Sequence, residues 1–396
     1  MKQKFVFIIT LMFISLSIIY SNSFDFGGYY KTFFSYIPVS NINNKTESGV
    51  NQKVRLDFKK DLSSNIKIDF SYELITSIES SYFQKLNINK NSYRIGEEII
   101  RLFPDKKSSI GNWFIEGDLD RLYSEIYFPF GDLYIGRQAI SWGSGHVINP
   151  TDIFLSYSFS SLDKEEKTGV DAARLRIPLG MMSEVDVGAV FGKDFKKENN
   201  AYFSRFKFYV DKTDLYFLLM FFRNNMLYGL NLTRPLKGAG TWIEMAYVEN
   251  NVFENVTSLE KSYFRLSAGF DYYFSSDNYI IVEYHLNTAG ENSPDEYDNI
   301  FMKNSYKEGN VYLLGKNYLN FVHSYQFTGL LESKNSLIYN LSDNSFCINP
   351  SLEYNIADNI YLAGGIYFYD DIFNEKEEKE FEKYNDLVYT SFRIYF

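Results

Sequence analysis

One run of this chain gathers more chemically capable side chains than any other: Gly136-Arg-Gln-Ala-Ile-Ser-Trp-Gly-Ser-Gly-His-Val-Ile-Asn-Pro-Thr-Asp152. Gly143 and Gly145 permit positive φ and a sharp exit from a preceding strand. Asn149-Pro-Thr-Asp152 has turn chemistry, and Thr151 or Asp152 could cap a short helix through Phe154 and Leu155. Two roles are open. Either Arg137, Gln138, Trp142 and His146 line a constriction, or the run is a packed, hydrogen-bonded element that shapes the wall beside it. Covalent catalysis is poorly served. Ser144 and His146 lie two residues apart in a Gly-rich loop, too close along the chain to suggest a nucleophile and its base. The other histidines are His285 and His323, and Cys347 is the only cysteine, so no metal-ligand spacing appears. No enzyme activity, metal or cofactor is expected.

A second constellation emerges when candidate strands are read with a period of two. On their polar side stand the bases Arg55, Arg121, Arg174, Arg176, Arg205, Lys207, Arg265 and Arg393. The acids there are Asp57, Glu125, Asp186, Glu244, Asp271, Glu283 and Glu353. Opposed rows of such groups focus a field across an aqueous space and select charged solutes. Ordinary salt-bridging between neighbouring strands is the plainer reading. Several arginines on the polar side of a chain with net charge −10 lean the expectation towards anionic or zwitterionic solutes. The same net charge argues against nucleic acid as a partner.

The elements that carry these residues read as strands almost throughout. About eighteen segments alternate, with sixteen the alternative count. In 262–274, Phe264, Leu266, Ala268, Phe270, Tyr272 and Phe274 oppose Arg265, Ser267, Gly269, Asp271 and Tyr273. In the final stretch, Val388, Thr390, Phe392, Ile394 and Phe396 oppose Tyr389, Ser391, Arg393 and Tyr395. His285 falls on the polar side with Glu283, and His323 on the apolar side. The segment 345–355 contains Pro350, which cannot donate to a ladder. Short connections such as 61–65, 129–132, 211–214 and 237–240 are rich in turn formers. They alternate with longer ones at 38–49, 77–117, 142–166, 251–261, 287–315 and 371–384. Within the last of these, Glu375–Lys383 reads as a solvated charged loop.

Composition sets the class. Lys2 and Lys4 precede an apolar run, Phe5 to Tyr20, and small residues follow at Ser21-Asn-Ser23, the pattern of a secretory signal peptide over residues 1–23. Aromatic residues make up 19% of the chain, yet mean hydropathy is −0.26. A membrane barrel reconciles the two, because half of every strand faces water inside it. A soluble sandwich would need a charged outer face, whereas here the outer face is apolar nearly all round. The expected fold is all-β: a single transmembrane antiparallel up-and-down barrel over 24–396, wet within, closed by the last strand against 24–36.

Two resemblances sharpen this. The aromatic ending, with Phe392, Ile394 and Phe396 on one face, resembles the closing strand of bacterial outer-membrane β-barrels, whose final Phe is read by the insertion machinery. The run 136–152 resembles a G-R-Q-x-x-x-W-G-x-G…N-P-x-D segment of porin-like outer-membrane proteins. The resemblance implies a passive channel for small hydrophilic solutes, narrowed by an inward loop at 142–166. Implied partners are outer-membrane lipid and lipopolysaccharide, the barrel assembly machinery and small solutes, as a monomer or homotrimer. The rival reading is a surface-binding or adhesion protein that uses the barrel as an anchor for its long loops.

Overall fold

The computed structural model describes residues 24–38, 46–79, 101–102, 107–110, 113–154, 161–252, 260–309, 311–371 and 379–396. The expected signal peptide, residues 1–23, lies outside the described residues, as do 80–100, 253–259 and 372–378.

Alternation of apolar and polar residues yields strands, and turn formers delimit them. The first are β1 (Phe24–Ile37), β2 (Glu47–Ser63), β3 (Ile66–Glu79), β4 (Lys107–Ile110), β5 (Trp113–Phe128) and β6 (Gly131–Gln138). Next come β7 (Val170–Pro178), β8 (Glu184–Val190), β9 (Ala201–Val210), β10 (Thr213–Phe222), β11 (Asn225–Leu236) and β12 (Ala239–Glu249). The remainder are β13 (Ser262–Ser275), β14 (Asn278–Asn287), β15 (Asn317–Thr328), β16 (Leu331–Asn340), β17 (Ser345–Ala357), β18 (Ile360–Asp371) and β19 (Leu387–Tyr395). All nineteen share one sheet. β4 pairs only with the outer end of β5, and β5 also pairs directly with β3. The ring therefore has eighteen antiparallel strands, the expected number.

β19 closes it against β1, from Tyr29 opposite Tyr395 to Tyr36 opposite Val388. The Phe396 N–H donates to the Gly28 carbonyl at 3.0 Å, and the Gly28 N–H donates to the Phe396 carbonyl at 2.9 Å. At the end carrying these residues the turns are tight. Asp211 and Lys212 both have positive φ (46° and 60°), as do Lys237 and Gly238 (49° and 89°). That is the mirror-image turn whose twist matches antiparallel strands. Pro350 is accommodated as its chemistry requires: β17 and β18 lose pairing there, and the Asn349 side-chain amide donates to the Ile366 carbonyl at 3.0 Å instead.

The outer face is apolar, with Phe34, Leu74, Leu122, Ile135, Phe217 and Leu362 exposed around the ring. This suits contact with lipid. The interior departs from the expectation of a uniformly wet lumen. At the loop end, inward positions of β7 to β13 turn apolar and form a core of Ala172, Val190, Phe203, Met220, Leu227, Val248 and Tyr263 with Ile140, Trp142, Ile153 and Phe154. A second core joins Ile148, Tyr312, Leu313, Tyr318, Ile338, Tyr367, Phe381 and Leu387. The physical reason is that returning loops bring their own apolar side chains, which need a dry surface to bury against. It also accounts for the end of β6 at Gln138: Ile140 leaves the sheet to enter the core.

A closed ring resists detergent. Unboiled protein should migrate faster than boiled protein in a denaturing gel. Ser391→Pro, which removes a ladder N–H in the closing strand and strands a carbonyl at a cost of about 1–3 kcal/mol, should lose the fast band at a lower temperature.

Candidate functional site

Burying an irregular loop inside a barrel leaves backbone N–H groups that need acceptors. Two inward carboxylates supply them. Glu244 on β12 accepts from the N–H groups of Ser144 (2.7 Å), Gly145 (2.9 Å) and Thr151 (2.8 Å) and from the Thr151 hydroxyl (2.7 Å). Glu283 on β14 accepts from His146 N–H (2.8 Å), Ile148 N–H (2.9 Å) and the Trp242 indole (3.0 Å). Both glutamates are fully buried. The segment 143–151 is thus held against the wall formed by β12 to β14. Gly143 has φ +119°, and a side chain there would collide with Asn149 and Glu244. Gly145 differs from its expected role: its φ is not positive, and it is needed for space, since a Cβ would lie 2.3 Å from the Ile148 carbonyl oxygen. The expected helix through Phe154 is absent among the described residues. Asn149 to Asp152 form a turn whose Thr151 donates to Glu244, and Leu155 lies outside the described residues.

The polar members of run 136–152 are largely occupied. Arg137 is a two-pronged partner of Asp171 (2.8 and 3.0 Å) and donates to the Leu119 carbonyl at 2.8 Å. Gln138 is buried beside Ala172. Trp142 packs edge-on to Phe203 and against Phe154. The His146 ring sits 4.4 Å from that of Trp242, and partial desolvation lowers its proton affinity. Ser144 donates to Asn231. Arg137, Gln138 and Trp142 are buried, whereas His146 is exposed.

A second return comes from 288–316, with short helices α1 (Tyr297–Ile300) and α2 (Asn304–Glu308), and a third from 379–386. Glu380 joins them: its buried carboxylate accepts from Leu314 N–H (2.9 Å), Tyr318 hydroxyl (2.5 Å) and Asn340 (2.8 Å), while its own N–H donates to Asp343. The charged stretch 375–383 is therefore not simply a solvated loop. Residues 375–378 lie outside the described residues, and Lys379, Glu380 and Phe381 are buried.

The remaining charges pair along the wall. Arg174 grips Asp186 with two bonds (2.8 and 2.6 Å), Arg176 meets Glu184 (2.5 Å) and Lys207 meets Asp214 (3.2 Å). Arg205 lies 4.2 Å over the Tyr216 ring. Arg55 binds Asp57, Glu73 and Asp120, and Arg121 binds Asp120. Glu125 faces Tyr134 and Lys67 in register. Asp271 accepts from Gly240 N–H and the Tyr279 hydroxyl. Arg265 is buried and donates to the Pro150 carbonyl, and His285 bonds Ser267. His323 stacks with Phe321 and Tyr325 on the outer side.

Among the described residues, open space lies along one side of the barrel. Two adjoining cavities, about 360 and 390 Å³, share Glu165, Lys334, Glu353 and Arg393 and follow the wall of β15 to β19. Arg393 pairs with Glu353 and, at 2.6 Å, with Glu165. Lys334 lies 3.3 Å from Glu332 and 3.5 Å from Glu353. The opposite bank is the strand-free segment 161–166, where Asp163 meets Lys31 (3.2 Å) and Lys53 (2.8 Å). Burial pushes the Asp163 carboxyl up, but the two ammonium groups outweigh it and hold it well below the usual carboxylate range.

Of the path residues, sequence reading reached Arg393 and Glu353 and missed Lys31, Lys334, Asp163 and Glu165. Lys31 and Lys334 were accessible from alternation. The acids sit in a loop, where periodicity is silent, and only the run Asp163-Lys-Glu-Glu166 marks them. Asp118 and Asp120 were hidden differently: a bulge between Leu119 and Arg121 lets Asp120 and Arg121 both turn inward, breaking the period of two.

Glu244→Ala should strand three buried amides and destabilise the fold by about 3 kcal/mol, with faster hydrogen exchange confined to 144–151; Glu244→Gln should lose less. Burial raises the Glu380 carboxyl to about 7. A group raised in this way contributes stability below its unfolded pKa of about 4.3 that is lost as pH rises through 7. Unfolding temperature should therefore fall across that window, and Glu380→Gln should flatten the fall.

Neither a known family's sequence pattern nor a curated protein sequence matches this chain. Its fold does match solved structures. Acinetobacter baumannii OccAB4 superposes with a TM-score of 0.57 at 9% identity, over 95% of this chain and 98% of that one. A. baumannii OccAB3 gives 0.56 at 9% identity, over 94% and 99%. A BenF-like porin from Pseudomonas fluorescens Pf-5 gives 0.55 at 12% identity, over 94% and 98%. This chain is similar to them in fold: an eighteen-stranded antiparallel barrel of the kind seen in that porin.

Proposed function

We propose that this protein is an outer-membrane channel for passive diffusion of small hydrophilic solutes, with the lean towards anionic or zwitterionic ones narrowed to the zwitterionic. One observation carries the reading: two adjoining cavities lie beside β15 to β19, both bounded by Arg393 and Lys334 and by Glu353 and Glu165. Both signs of charge line them, which favours solutes that carry both. Barrels of 16–18 strands enclose an aqueous channel unless something fills it, and the described loop returns leave two cavities open along β15 to β19. The shared fold with a BenF-like porin supports the same reading.

In this reading the chain is exported through residues 1–23, its apolar belt meets outer-membrane lipid and lipopolysaccharide, and it performs no chemistry on its solutes. Arg393, Glu353 and Glu165 touch the solute. Arg137, Gln138, Trp142, His146, Arg265 and Glu283 shape the passage by holding the loop that narrows it. Phe392, Ile394 and Phe396 face outward as the mark read by the assembly machinery.

Refolded protein in a planar bilayer should give stepwise single-channel current with a small reversal potential in a salt gradient. A stably inserted barrel that passes none would sink the channel reading. Phe396→Asp should lower the assembled yield in cells severalfold; an unchanged yield would refute its role as a signal.

A further inference from the structure

The inward positions of β16 to β19 change character level by level. Nearest the loops they are dry: Ile338, Cys347 and Leu387 belong to the second core. Furthest from the loops they are charged, at Lys334, Glu353 and Arg393. Between the two lies a stretch that is polar but uncharged, and the cavity of about 360 Å³ takes in both this stretch and the charges.

Three hydroxyls of the uncharged stretch have no hydrogen-bond partner among the described residues: those of Ser336 on β16, Tyr367 on β18 and Ser391 on β19. Tyr367 is only 6% exposed and Ser391 5%, so the cavity is the open space that their hydroxyls meet. Their neighbours are spent on the wall. The Ser351 hydroxyl donates to the Lys334 carbonyl at 2.6 Å, and the Asn349 amide to the Ile366 carbonyl at 3.0 Å. The Tyr367 ring is held 5.7 Å from that of Tyr389 and 6.3 Å from that of Tyr369, which fixes where its hydroxyl stands. A buried hydroxyl left unpaired is costly, and the partner for these three must come from whatever enters the cavity.

We propose that Ser336, Tyr367 and Ser391 form a hydrogen-bonding subsite for the uncharged part of a solute whose charged groups rest at Arg393 and Glu353. A hydroxyl both donates and accepts, so it matches a hydroxyl or an amide on the solute, whereas a methyl in the same place leaves it unpaired. The channel then favours zwitterions with a hydroxyl or amide side chain over isosteric zwitterions with an apolar one. This rests on the channel reading above and adds to it the groups that choose among solutes of equal charge.

The test is tracer flux of threonine and of valine, which differ by a hydroxyl in place of a methyl. Flux is read at micromolar concentration into liposomes holding refolded full-length protein, less the flux into protein-free liposomes. Wild type is compared with the triple variant Ser336→Ala/Tyr367→Phe/Ser391→Ala and with Tyr367→Phe alone. Gel mobility before and after boiling shows that each is folded, and current in potassium chloride that each is open. Wild type should carry threonine roughly threefold faster than valine, and the triple variant should bring that ratio to about one. Tyr367→Phe keeps the packed ring and should fall between, so it decides the matter if the triple variant fails to refold. A ratio near unity in wild type, or an unchanged ratio in folded, open variants, overturns the inference and leaves the channel reading intact. Absence of both current and flux from wild type removes both.

Discussion

Backbone polar groups that cannot reach water must be satisfied inside the protein, and most of this structure follows from that one demand. In the wall it requires a ring, because an open sheet facing lipid would present unpaired N–H and C=O groups along two edges. β19 meets the demand by pairing with β1 on one side and β18 on the other, and the reciprocal bonds between Gly28 and Phe396 extend the seam to the last residue. In the interior it requires acceptors for the non-strand chain that returns there. Glu244 and Glu283 each collect several N–H or O–H donors from one loop return, and Glu380, itself on a return, accepts from Leu314 N–H and from Tyr318 and Asn340 on β15 and β16. A carboxylate is suited to the task, since its two oxygens accept several bonds and charge strengthens each one.

Those latches explain why the lumen is narrow on one side. Segment 143–151 is held to β12 to β14, and 288–316 and 379–386 close over the neighbouring wall. The returns bury apolar side chains against apolar inward positions of β7 to β13 and, through Ile148, Tyr312, Leu313 and Phe381, against those of β15 to β19. The charges beneath pair off across adjacent strands, as Arg174 with Asp186 and Arg137 with Asp171 do. Along β15 to β19 two cavities remain among the described residues, and there charges of both signs meet them. Function in this reading is what the packing leaves over.

Much of the architecture was legible from residue order. Alternation indicated about eighteen barrel strands and placed 24–36 and 262–274 to within one residue, because a strand with one apolar and one polar face carries its surroundings in each successive side chain. His285 and His323 were assigned to opposite faces on that basis. The places where the reading slipped have a common cause. Asp120 and Arg121 both turn inward at a bulge, Gly145 needs space rather than positive φ, and the charged stretch around Glu380 is buried. In each, the deciding contact is set by the fold and not by a local period: β3 for the bulge, the curl of the loop onto Ile148 for Gly145, and Leu314 and Tyr318 for Glu380.

Sequence alone therefore indicated the ring, its two faces and the pairing of the last strand with the first, and narrowed the strand number to eighteen or sixteen. These depend on local periodicity and on turn chemistry, which are written in consecutive residues. Tertiary structure alone decided which inward charges face open space and which are spent on one another. That outcome depends on where loops return, and a loop has no period to betray its destination. Lys31 and Asp163 are 132 positions apart, and only the folded barrel brings the one to neutralise the other.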